Sequence, residues 1–134
     1  MIDIEDQVYT KVARKLREEH PGVFVTGTYT QAPPDFPCVQ IEETRNITNT
    51  KTEDSGSNEN HAVLTYKIDV YSILSSGAKQ ECRKIMSTAD DQFLGMGFTR
   101  TSMMPTPNVL DSQVYRITAM YEGVVSRDKV IYGR

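Results

Sequence analysis

The sequence predicts an α+β fold, a two-layer sandwich with two helices packed on one face of a mostly antiparallel or mixed sheet and a long projecting β-hairpin. Three observations predict it. First, the stretch His61 to Ile73 alternates: Ala62, Leu64, Tyr66, Ile68 and Val70 share one face, whereas His61, Thr65, Lys67 and Asp69 share the other. A strand sends successive side chains to opposite sides, so one face serves a core and the other water or a partner. A fully buried parallel strand would be apolar on both. Second, two segments repeat apolar residues every three or four positions, as amphipathic helices do. Third, one-faced strands and helices bury their apolar sides by stacking in layers.

Ile4, Val8, Val12 and Leu16, with Tyr9 and Ala13, form the stripe of the first helix, and Lys11, Arg14, Arg17 and Glu18 lie opposite. Asp3 is placed to cap it and Asp6 to meet the helix dipole. His20-Pro21-Gly22 ends it, because proline disfavours helical geometry in the residue before it. Val23 to Tyr29 reads as a short strand. The connector Gln31 to Pro37 follows, and its prolines cannot donate ladder hydrogen bonds. Cys38 to about Ile47 is a second strand, with Val39 and Ile41 on one face and Gln40, Glu42 and Thr44 on the other. Its far half is polar on both sides, so it is expected to run beyond the core.

Gly77 to Leu94 is the second helix, with Ser75 or Ser76 as caps and Ala78, Cys82, Ile85, Met86, Ala89 and Phe93 as its apolar face. Gly95 and Gly97 are placed to close it in left-handed geometry. Phe98 to Met103 and Gln113 to Val125 read as strands. Tyr115, Ile117, Ala119 and Tyr121 face the core in the second of these, and 129–132 adds an edge strand or a tail. If the second helix links parallel strands, it crosses over the sheet in the usual right-handed sense. The polar face of the sheet is then left uncovered by the chain itself.

Thr48 to Asn60 contains no apolar side chain. Such a segment cannot bury enough surface to offset its ordering entropy, so 48–60 is expected to form a flexible polar hairpin arm. Two readings stand: a solvated hairpin tip, or an arm that orders only against a partner. The candidate partner-contact residues are Asn49, Lys51, Glu53, Asp54 and Glu59 in the arm, with Lys67 and Asp69 on the polar face of the strand after it.

At 134 residues the expectation is a single domain, 1–134, large enough for a core without staples. A formal net charge of -3 argues against a domain that tracks phosphates. No apolar run approaches the roughly 20 residues that span a bilayer, and no signal segment opens the chain, so a cytoplasmic setting without membrane contact is expected. In a reducing compartment Cys38 and Cys82 are expected as buried free thiols.

Catalysis requires convergent groups, and none are apparent. His20 ends a helix and His61 begins a strand, without partners at metal-ligand spacing. Asp90 and Asp91 are adjacent on a helix and point apart, which reads as a solvated face. Gly95-Met96-Gly97 follows a helix, where a phosphate loop would precede one. The expectation is therefore no enzyme, no cofactor and no metal.

The N-terminal amphipathic helix, the Pro33-Pro34-Asp35-Phe36-Pro37 lead into CVQIEE (38–43), the polar hairpin, YKIDVYS (66–72) running into a helix that ends before Gly97-Phe98, and the final YRITAMYEGVV (115–125) together resemble phage tail terminator proteins. These are also called tail completion or tail-to-head joining proteins, or minor tail components. The resemblance implies a structural virion protein of the phage tail, assembled in the bacterial host cytoplasm. It would form a homo-oligomeric ring, a hexamer, at the head-proximal end of the tail, in contact with the tail-tube protein and the head-connector protein. DNA would pass through its channel without specific binding. The alternatives are another phage head-tail connector or neck protein, or a small ferredoxin-like ligand- or protein-binding module.

Overall fold

The computed structural model describes residues 1–28, 33–48, 61–107, 113–129 and 131–132. Its elements are α1 (Glu5–Glu19), β1 (Phe24–Thr26), β2 (Cys38–Thr48), β3 (His61–Ser72), α2 (Ala78–Met96), β4 (Thr99–Pro105), β5 (Tyr115–Ser126) and β6 (Ile131–Tyr132). The sheet runs β1-β2-β3-β5-β4, with β6 also on β5. Among the described residues the β1–β2 pairing alone is parallel; β2–β3, β3–β5, β4–β5 and β5–β6 are antiparallel. Because β3 occupies one flank of β5 throughout, β6 lies on the flank of β4, beyond its end. β3 and β4 both run antiparallel to β5 and so parallel to each other, which makes β3–α2–β4 a crossover that straddles β5.

Both helices cover the same face. The even residues of β3 pack with Val8, Val12, Ala13 and Leu16 of α1 and Cys82, Ile85, Met86, Ala89 and Phe93 of α2 in one buried cluster. At its centre the Phe93 ring stacks on Tyr121 at 4.6 Å between centroids, with Phe98 and Tyr66 set at an angle to it at 5.5 and 5.6 Å. Gly123 lies beneath this group. A Cβ there would stand 2.8 Å from the Phe98 ring, so the close approach of ring to strand requires glycine.

The local signals for α1 and α2 are met with shifts at their ends. Asp3 Oδ1 accepts from the Glu5 N–H at 3.2 Å, while Ile4 holds the N-cap position. At α2 the N-cap is Gly77 in left-handed geometry, where Ser75 or Ser76 was expected. Gly95 is helical, and the closure falls to Gly97 alone, at φ 105. The Gly97 N–H donates to Leu94 O and the Phe98 N–H to Phe93 O, a Schellman turn with the Phe93–Phe98 ring contact as its hydrophobic clasp.

Two bulges change the parity of strands that the sequence reads as regular. Glu43 pairs with Tyr66 and Arg45 with Thr65, which leaves Thr44 as the extra residue of β2. Before it, Val39 and Ile41 face the helices; after it Asn46 does, and its amide donates to Ile2 O at 2.8 Å. In β4 the extra residue is Thr101, between Arg100 and Ser102. Met103 therefore joins the core, while Met104 is 56% exposed. Both bulged strands have an outer edge, and irregular edges resist pairing with other chains.

Candidate interaction surface

The helix-free face of the sheet is where the sequence puts its partner contacts, and its cross-strand register divides it into rows. Cys38, Tyr71 and Arg116 form the first row; Gln40, Asp69, Thr118 and Met104 the second; Glu42, Lys67, Met120 and Ser102 the third. Beyond these lie Arg45, Thr65, Glu122 and Thr99, and then Ile47, Val63 and Val124.

The first row, and the second at Gln40 and Asp69, are not open. Cys38, Tyr71 and Val114 make a second small core, with Phe36 and Phe24 packed against it. The expectation of a sheet face left uncovered by the chain thus fails at this end. The covering residues come from the connectors before β2 and before β5, where no periodicity announces a core position. A signal was present nonetheless: Tyr71 and Cys38 are apolar at the parity assigned to water.

Asp69, expected on an open polar face, is buried: its side chain is 2% exposed. Oδ1 accepts from Arg116 Nε at 3.0 Å and from the Thr118 hydroxyl at 2.6 Å, while Lys67 Nζ stands 3.8 Å from Oδ2. The Thr106 hydroxyl donates to Thr118 Oγ1 at 2.7 Å, and the Tyr71 hydroxyl donates to Gln40 Oε1 at 3.2 Å. Arg116 also lies over the Tyr71 ring, 5.4 Å from its centroid. A buried carboxylate is tolerable only with such partners. Arg116 is 47 residues away in the chain, so nothing near Asp69 signals the pair. Lys67 does lie on this face and is half-buried. Asn49, Lys51, Glu53, Asp54 and Glu59, and the arm itself, lie outside the described residues.

The remaining titratable groups are tied into the fold. Asp90, read as part of a solvated pair with Asp91, accepts from the Tyr121 hydroxyl at 2.6 Å and from Arg100 Nη1 at 2.9 Å, which fastens α2 to β4 and β5. His20 Nε2 and Thr88 Oγ1 are 2.8 Å apart, a link between the end of α1 and α2. Cys38 and Cys82 are free and buried, and burial pushes both thiols up to about 12, which keeps them protonated and unreactive. Among the described residues no group of three or more His, Cys, Asp or Glu is placed to hold a metal.

One carboxylate is perturbed at the rim of a cleft. Asp3, Glu5, Asp6, Tyr9, Gly27, Thr28, Ile41 and Tyr66 enclose about 300 Å³, and the Tyr66 hydroxyl donates to Glu43 Oε1 at 2.9 Å. Burial raises the Glu43 carboxyl above its ordinary value, Glu5 and Asp3 push the same way, and the hydrogen bond from Tyr66 offsets part of this. The folded chain therefore holds this proton more tightly than the unfolded chain. The associated stability is present at acid pH and is lost as pH rises through the folded value. Replacing Glu43 with Gln is expected to raise the melting temperature at pH 7, with the advantage disappearing near about pH 4. Thermal denaturation of both proteins across that range checks it; parallel profiles would refute it.

No protein-family model matches the chain, and neither does any protein among those with curated descriptions.

Proposed function

We propose that this chain is a structural virion protein, a phage tail terminator. It closes the head-proximal end of the tail as a ring, stops tube growth and joins tail to head. The observation that carries this reading is where the characteristic segments fall in the fold. CVQIEE and YKIDVYS are adjacent antiparallel strands, and YRITAMYEGVV pairs along the other flank of YKIDVYS. These three phrases of the resemblance are thus neighbouring strands at the centre of one sheet. The net charge of -3 suits a channel that passes DNA without gripping it. The chain's part in this function is assembly: self-association in a closed ring, a hexamer, with the tail-tube and head-connector proteins on its two sides.

Native mass spectrometry at high protein concentration, with and without the tail-tube subunit of the same phage, tests it. A closed ring of about six copies is the expected result. A strict monomer under both conditions overturns it. The cleft beside Tyr66 favours a second reading, a small binding module, since ligand sites are concave with a few polar groups at their walls.

A further inference from the structure

The two outermost rows of the helix-free face are arranged so that the face matches itself. Ile47, Val63 and Val124 lie side by side on three neighbouring strands; Ile47 is 45% exposed, and both valines are half-buried. The adjacent row places exposed Arg45 on β2 and exposed Glu122 on β5, one on each side of Thr65. These two charges are two strand spacings apart, about 10 Å between backbones. Neither has an ion-pair partner among the described residues.

A two-fold axis lying in the interface and parallel to β3 exchanges β2 of one copy for β5 of the other while keeping each row at its own height. Under that operation Val63 meets Val63, and Ile47 meets Val124 twice. Arg45 meets Glu122 twice. Apolar residues fall on apolar residues and each charge on its opposite, which is the self-complementarity an isologous contact requires. Two sheets packed face to face with nearly aligned strands, about 10 Å apart, is an ordinary geometry for such surfaces.

We propose that this face binds a second copy of the chain, sheet to sheet, with Arg45 and Glu122 setting the register. The proposal does not depend on the terminator reading. Two rows bury less than the roughly 800 Å² per partner of a standard stable interface, so the dimer is weak and forms at high protein concentration.

The test is light scattering on the free chain over a concentration series, with Arg45→Glu, Glu122→Arg and the double variant; both positions of exchange are exposed, and thermal melts verify folding. The wild type is expected to approach twice the monomer mass. Each single exchange replaces two attractions with two repulsions and is expected to weaken dimerisation about tenfold, and the double exchange to restore it. A monomer at every concentration overturns the proposal, as does a dimer indifferent to both single exchanges. A closed ring of constant mass in all four proteins also overturns it, while leaving the terminator reading standing. A dimer that responds to the exchanges but never forms a ring with tail-tube subunit does the reverse.

Discussion

Phe93→Ala is expected to destabilise the chain by about 4 kcal/mol, a large part of the 5–15 kcal/mol available to a domain of ordinary stability. Phe93 is fully buried, stacks on Tyr121 and touches Tyr66 and Phe98 at an angle, so truncation removes contacts on three sides. The neighbours have little room to collapse inward. Tyr121 is held by its hydrogen bond to Asp90, and Tyr66 by its bond to Glu43. Phe98 is fixed by the Schellman turn. Chemical denaturation with urea measures the loss. A cost below about 1.5 kcal/mol, the range of volume-conserving exchanges, would show that the cluster repacks freely.

Asp69→Ala is the second large effect, expected at about 3 kcal/mol, the low end for breaking a buried ion pair. The substitution removes the carboxylate beside Arg116, whose side chain is only 11% exposed, and the acceptor of the Thr118 hydroxyl. Asp69→Asn keeps an acceptor oxygen and should cost less. Replacing Asp69 and Arg116 together with apolar residues of similar volume should recover most of the loss, because the cost lies in leaving a charge without its counterpart. If the double replacement is as damaging as the sum of the two single ones, the pair contributes through packing instead. Urea denaturation of the set decides between them.

These two residues also mark what was legible. Phe93 belongs to a helical stripe, and the even positions of β3 alternate without interruption, so the main core and the α+β layering follow from periodicity alone. Asp69 stands at the parity of water, yet it is buried with Arg116 and Thr118, at the end of the sheet where Val114 and Phe36, supplied by connectors, join a second core. Connectors have no period, so their contribution to a core cannot be read from spacing. The bulges at Thr44 and Thr101 were hidden for a related reason: a polar strand end looks the same in either register. Of the candidate contact residues, Lys67 alone among the described ones retains access to solvent from the sheet face.

The bulge at Thr44 sets a counting rule for the hairpin. Were Thr44 paired with Thr65 and not bulged out, everything from Arg45 to Thr48 would turn over: Asn46 would leave Ile2 O, and Ile47 would point toward the helices. A single insertion or deletion between Cys38 and Thr48 therefore exchanges inside for outside in the rest of the strand unless a bulge absorbs it, as at Thr44, whose deletion would leave a regular ladder with Arg45 still opposite Thr65.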